Sequence, residues 1–278
     1  SVLCSTNWAK VPLKIARVNI NVLTINVKFE KNLFTFTFSF MNLLIDIGNT
    51  LIKVAISNNK KIIKEFKFKK FEILDLINII SEYNIIFSAL SNVSKPNDSL
   101  VKALKEKTVF FSFSKRIKLP FTLDHDINEV GDDRLALVCA ARRDFPDNNV
   151  LVIDLGTCIT YDIKSAENIY KPGGISPGLK MRIKSISDDA FNLSQIDLDY
   201  PKKFIADNTK TSLDIGIIGG LKFEIEGFIK YYHSLFDNLI VVITGGDSKF
   251  LSGKIKNTIF TNSNYIFKGL DYLIEYNK

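Results

Sequence analysis

The sequence predicts an α/β protein of two similar halves behind a short N-terminal extension. Three observations carry that prediction. Residues 43–56, Leu-Leu-Ile-Asp-Ile-Gly-Asn-Thr-Leu-Ile-Lys-Val-Ala-Ile, read as two buried strands joined by a turn at Gly48-Asn49-Thr50. Residues 150–163, Val-Leu-Val-Ile-Asp-Leu-Gly-Thr-Cys-Ile-Thr-Tyr-Asp-Ile, repeat the arrangement, and Asp154 follows Asp46 by 108 positions, about one small domain. From Met41 onward, strands come first and helix then alternates with strand. The expected division is an extension over 1–40, a first unit over 41–148 and a second over 149–278.

The turns suggest a chemistry. A glycine at a strand-to-strand turn lets a phosphate approach the backbone without meeting a Cβ. Asn49 and Thr50 add donors, Lys53 adds a positive charge, and Asp46 at the strand end suits a hydrated Mg²⁺. One such turn alone is well explained as a hairpin with good turn residues. Two of them, once per half, suggest halves that face a shared nucleotide.

Composition narrows the class. The chain has 278 residues, 46% hydrophobic and 24% charged, which is ordinary for a globular protein. Its net charge of +7 is uneven. Residues 1–40 hold five bases and one acid, so the other 238 residues carry only +3 and give no reason for a nucleic-acid groove. Cys4, Cys139 and Cys158 have no metal-type spacing and point to a reducing compartment, hence the cytoplasm. No run of about 18 apolar residues offers a membrane span.

Taken in order, residues 1–40 lack a signal-peptide pattern and read as an extension outside the catalytic fold, the rival reading being an extra strand at a sheet edge. Residues 43–47, 51–57 and 62–68 are expected strands. Residues 71–83 are an expected helix with Phe71, Leu74, Ile77 and Ile80 on one face. A strand over 85–90, a helix over 96–107 entered through Ser94 and Pro96, and a strand over 109–112 close the first half. An apolar helix over 135–145 follows Gly131-Asp132-Asp133-Arg134. Acids at a helix start are ordinary dipole partners. They also suit proton abstraction beside an arginine that holds a carboxylate.

After the second turn, residues 170–179 hold three glycines and two prolines and are expected to form a shaped loop. Helices are expected over 179–191 and 209–236, the latter packed tightly through Gly216, Gly219, Gly220 and Gly227. A strand over 239–243 runs into Thr244-Gly245-Gly246-Asp247. Several motifs fail. No Gly-x-Gly-x-x-Gly follows a strand. Six residues separate Gly246 from Gly253-Lys254, where a P-loop needs four. His125 and His233 match no hydrolase signature.

The repeated turns resemble those of the actin, sugar-kinase and Hsp70 superfamily, which implies two actin-like (ribonuclease H-like) domains with the nucleotide site in the cleft between them. The order of motifs from Met41 to the C-terminus resembles type III pantothenate kinase. The matching elements are Asp46-Ile47-Gly48-Asn49-Thr50 with Lys53, Gly131-Asp132-Asp133-Arg134, and Asp154-Leu155-Gly156-Thr157. They continue with Gly173-Gly174-Ile175-Ser176-Pro177-Gly178, Thr209 ahead of Gly216, and Thr244-Gly245-Gly246-Asp247.

The resemblance implies ATP-dependent phosphorylation of pantothenate at its primary hydroxyl, the first step towards coenzyme A. It assigns ATP binding to Asp46, Ile47, Gly48, Asn49, Thr50, Leu51, Ile52, Lys53 and Thr157, and general-base catalysis to Asp133. It assigns substrate binding to Gly131, Asp132, Asp133, Arg134 and Thr209, and a monovalent cation, potassium or ammonium, to Asp154 beside Mg²⁺ with ATP. It also implies a homodimer, with neither nucleic acid nor membrane as partner. The family's tyrosine about seven residues before Gly131 is Asp124 here, with His125 beside it. The alternatives are a nucleotide-binding regulator of the same fold without turnover, and a kinase for another small hydroxy acid.

Overall fold

A computed structural model gives the fold and describes residues 13–19, 22–29, 32–95, 97–114, 116–123, 126–189, 198–260 and 264–278. Ahead of Met41, strands β1 (Leu13–Asn19), β2 (Val22–Phe29) and β3 (Asn32–Ser39) pair antiparallel in a sheet of their own. None of the three pairs with a strand of the other two sheets.

The first core sheet is built from β4 (Met41–Ile47), β5 (Ile52–Asn58) and β6 (Lys61–Phe68), an antiparallel meander. Helix α1 (Ile73–Glu82) leads to β7 (Ile85–Asn92), which lies parallel to β4, and α2 (Asp98–Lys107) leads to β8 (Val109–Ser112), parallel to β7. The α2 cap is Asn97, whose side chain accepts from the Leu100 N–H at 3.0 Å.

The second sheet repeats this plan. After β9 (Thr122–Leu123) and the central helix α3 (Asp132–Asp144), β10 (Val150–Leu155), β11 (Cys158–Lys164) and β12 (Ile169–Pro177) form the antiparallel meander. Helix α4 (Leu179–Asp189) follows. Helix α5 (Thr209–Leu213), a π-helical turn (Asp214–Gly219) and α6 (Gly220–His233) then run on without a break. β13 (Ile240–Thr244) adds parallel to β10 and β14 (Ile259–Phe260) parallel to β13, while β9 extends the sheet beside β12. Helix α7 (Tyr265–Asn277) ends the chain.

The apolar runs are explained by cover on both faces of each sheet. In β4, Leu43, Ile45 and Ile47 face the outer core with Leu76, Ile79, Leu100 and Leu104 of α1 and α2. Leu44 faces inward. In β10, Leu151, Ile153 and Leu155 face Ile217, Ile218, Leu221 and Ile225 around α6, while Val150 and Val152 face inward. The inner core between the sheets is filled by α3 and α7. These helices approach closely because Gly269 has no side chain; a Cβ there would strike the Ala136 carbonyl. Helix α3 buries every residue from Arg134 to Ala141.

Three expectations are corrected and one element is added. Helix α1 buries Leu76 and Ile79, whereas Leu74 is 66% and Ile77 40% exposed. The segment carries apolar residues on two stripes, and the sheet covers only one. Residues 170–177 are not a loop but strand β12. Its glycines sit at a bulge, where Tyr161 faces an extra residue between the Thr160–Ile175 and Asp162–Pro172 pairs. Of the four helical glycines, only Gly219 is packed, against Phe204; a Cβ on Gly216, Gly220 or Gly227 would meet open space. Helix α7 is an addition that no sequence expectation covered.

Candidate active site

The repeat places the two turns opposite each other. Asp46 and Asp154 are the last residues but one of β4 and β10, each strand at the centre of its sheet, and the turns that follow face one cavity of about 520 Å³. Thr50 Oγ1 and Thr157 Oγ1 lie 3.1 Å apart across it. Gly246 and Asp247 close another side. Gly245 takes a positive φ of 99°, and a Cβ there would strike the Leu155 backbone, so the glycine lets this turn sit against the second phosphate-type turn. The Asp247 N–H bonds to the Leu155 carbonyl at 3.0 Å.

Each strand-end aspartate has different neighbours in register. Asp46 pairs with Lys53 on β5 and Ser91 on β7; Lys53 Nζ lies 3.7 Å from its carboxylate, and Ser91 Oγ donates at 3.3 Å. Asp154 pairs with Thr160 on β11 and Thr244 on β13, with no cation among these partners. The Thr160 hydroxyl is buried without a hydrogen-bond partner and lines the cavity.

Helix α3 supplies the third part. Its N-cap is Gly131, so Asp132 and Asp133 stand in the first turn, where the helix dipole favours them. Asp132 accepts from the Asn92 N–H at the end of β7 at 3.0 Å, which ties the helix start to the first sheet. Asp133 lines the cavity and accepts from the Arg134 N–H at 2.8 Å. Arg134 is buried, lines the cavity and pairs with Asp162 at 2.7 Å.

Burial pushes Asp46 up to about 6 despite the opposing charge of Lys53. Asp154 is pushed up to about 7 by burial, then by the negative charge of Asp133. Burial also raises Asp132, to about 6, and Asp133. Burial is the chief cause at all four carboxylates, and a cation bound among them would favour their charged forms. Asp46, which lines the cavity beside the first turn, fits Mg²⁺ held through water and ligand phosphates, and Asp154 offers a second carboxylate for a cation. No closed cage of three or more His, Cys, Asp or Glu side chains occurs among the described residues.

Of the residues singled out from the sequence, Asp46, Gly48, Asn49, Thr50, Leu51, Lys53, Gly131, Asp133, Arg134, Asp154 and Thr157 line this cavity. Ile47 is buried in the outer core and Ile52 packs against it. Asp132 turns to Asn92, and Thr209 is exposed at the start of α5, outside the cavity lining. Asp124 and His125 lie outside the described residues. Sequence reasoning missed Asp162 and Tyr170, whose contacts hold Arg134. The signal was present: a lone acid inside a buried strand requires a partner.

The chain resembles known proteins along most of its length. A profile of the type III pantothenate kinase family matches residues 42–231. A type III pantothenate kinase from Christiangramia forsetii is 41% identical over 241 residues, covering 86% of this chain and 99% of that protein. One from Flavobacterium johnsoniae is 35% identical, covering 85% and 98%. Among solved structures, a protein from Campylobacter jejuni described as a Baf family transcriptional activator is 25% identical. It aligns with a TM-score of 0.55 over 84% of this chain and 98% of its own. A protein from Listeria monocytogenes described as an N-acetylmannosamine kinase, 12% identical, aligns with a TM-score of 0.51 over 86% and 100%, a likeness of fold alone. By the profile and these relatives, the chain belongs to the type III pantothenate kinase family.

Proposed function

We propose that this chain transfers the γ-phosphoryl group of ATP to the primary hydroxyl of pantothenate, giving 4′-phosphopantothenate and ADP. One observation carries the reading within the family: Asp133 and Arg134 open into the same cavity as both glycine turns and both strand-end aspartates. Phosphoryl transfer needs positioning and charge neutralisation more than covalent chemistry. The turns at Gly48–Thr50 and Gly156–Thr157 offer backbone and hydroxyl donors for phosphates, with Ile47, Leu51 and Ile52 shaping the first turn through the backbone. Lys53 adds positive charge. Mg²⁺ held near Asp46 would supply neutralisation of the phosphate oxygens.

Asp133 accepts the proton of the attacking hydroxyl, and its raised proton affinity suits that task. Arg134 holds the carboxylate of pantothenate beside it. Asp132 braces the helix start through Asn92. A potassium or ammonium ion held at Asp154 would offset the negative charge of Asp133, Asp46 and Asp162 there, which Lys53 opposes.

The working molecule in this reading is a cytoplasmic homodimer whose catalytic unit begins at Met41, with halves over 41–148 and 149–278. The start of the family match at residue 42 supports that boundary. Thr209 is exposed outside its own cavity, Phe204, Ile205 and Phe223 are apolar and exposed as well, and a second copy covering such surface fits both facts. The free cysteines Cys139 and Cys158 suit a reducing compartment. No helix among the described residues is long and apolar enough to cross a membrane. Coupled detection of ADP release with and without pantothenate tests the activity; release that ignores pantothenate contradicts it.

A further inference from the structure

Arg134 is held by an arrangement that the transfer chemistry does not itself require. Strand β11 alternates, so Tyr161 points to the α6 side, where its ring stacks on Phe228 with centroids 4.1 Å apart. Asp162 points the other way, to α3, and is fully buried. A buried carboxylate must be matched by donors. Asp162 receives Arg134 Nε at 3.0 and 3.1 Å on its two oxygens, Arg134 Nη2 at 2.7 Å and the Tyr170 hydroxyl at 2.6 Å. The bulge adds a second anchor: Nη2 also donates to the carbonyls of Gly173 at 3.2 Å and Tyr161 at 3.5 Å. A Cβ at Gly173 would strike the Tyr161 carbonyl and the Tyr232 hydroxyl, so the glycine is what allows the bulge to bring those carbonyls together.

These bonds engage one edge of the guanidinium, Nε with Nη2, and none of the described bonds uses Nη1. We propose that Asp162, braced by Tyr170 and by the bulge at Gly173, is the positioning residue that fixes Arg134 with Nη1 set to receive the carboxylate of the acceptor. The proposal rests on the reading of the cavity as a pantothenate kinase site. Asp162 is fully buried outside the cavity lining and acts through Arg134. Its effect is selectivity for an acidic acceptor, because a guanidinium held in one orientation rewards an anion at one place.

The test uses the full chain with Asp162→Asn and Tyr170→Phe. The Asn variant keeps the side-chain shape but loses the charge and faces the arginine with an amide. Each protein is assayed for KM towards pantothenate, KM towards ATP and kcat. The assay is repeated with the neutral alcohol analogue, in which a carbinol replaces the carboxylate. Misplacing a binding group by about 1 Å costs on the order of 10²-fold. Asp162→Asn is expected to raise KM for pantothenate by about that factor with KM for ATP near wild type, and to shrink the preference for pantothenate over the neutral analogue. Tyr170→Phe is expected to move both quantities the same way by less.

Wild-type pantothenate KM and wild-type preference in folded variants overturn the proposal and leave the pair as a structural ion bridge. If Asp162→Asn does not fold, Tyr170→Phe decides by the same two readouts. A wild-type protein that releases no ADP with pantothenate overturns the kinase reading itself and this proposal with it.

Discussion

Thr50 and Thr157, 107 residues apart in the chain, meet hydroxyl to hydroxyl at 3.1 Å across the cleft. They lie in the matching turns of the two copies of the strand-turn-strand unit, Thr157 standing where the first copy has Asn49, and their contact joins the two sheets where a nucleotide's phosphates would lie. A hydroxyl that bonds a charged oxygen contributes about 1.5–3 kcal/mol. Thr157→Val should therefore raise the KM for ATP at least about tenfold, with KM for pantothenate much less affected. Titration calorimetry with ATP checks the same loss without turnover.

Asp133→Asn should abolish transfer and leave ATP binding nearly intact. The amide keeps the contact with the Arg134 N–H but cannot accept the hydroxyl proton. Loss of a general base typically costs about 10²–10⁴-fold in rate. Asp132→Asn should cost far less, because that carboxylate is bonded to the Asn92 N–H rather than turned to the cavity. Inactive Asp132→Asn beside active Asp133→Asn would move the base back by one residue.

Activity should rise strongly with potassium at constant ionic strength and saturating Mg²⁺, and much less with sodium. Asp154 is flanked in register by Thr160 and Thr244, and the charges of Asp133, Asp46 and Asp162 act on it against that of Lys53, so negative charge is in excess there. Asp154→Asn should weaken the potassium dependence and raise KM for ATP. Equal wild-type rates in sodium and potassium would remove the monovalent ion from Asp154.

Lys164 predicts a pH dependence of stability far from the cleft. It is fully buried at the end of β11, donating to the Phe145 carbonyl at 2.7 Å and the Pro146 carbonyl at 2.8 Å, just past α3. Burial, with the charge of Arg142, lowers it to about 8, while Asp147 and Glu167 oppose the shift. The unfolded chain then holds more protons than the folded one between about pH 8 and the ordinary lysine value, so this group makes stability rise with pH across that window. The neutral amine keeps two N–H donors for its two carbonyls. The melting temperature of wild type relative to Lys164→Met should climb from about pH 8 to 10 and stay flat from pH 6 to 7.5.

The repeat was legible in the sequence because it rests on local signals. Uninterrupted apolar runs require cover on both faces, and an aspartate before a glycine turn marks a strand end. Asp46 and Asp154 follow from that pattern and line one cavity; Asp133, which lines it too, stands out by its place at a helix start and by the family resemblance. What was not legible depended on tertiary contact. Gly173 and Pro172 suggested a loop, but the glycine serves a bulge opposite Tyr161. Two apolar stripes on α1 gave no sign of which one the sheet would cover. Helix α7 is defined by its contact with α3 at Gly269, and no local signal announces a partner 130 residues away.

The most direct test of the account is to follow the γ-phosphoryl group itself. Purified protein is incubated with ATP labelled in the γ-phosphate, Mg²⁺, potassium and pantothenate, and the products are separated and weighed by mass spectrometry. The account predicts label in a phosphorylated pantothenate, equimolar with ADP, and none with Asp133→Asn. Label appearing only as inorganic phosphate, or ATP bound without any transfer, would contradict it.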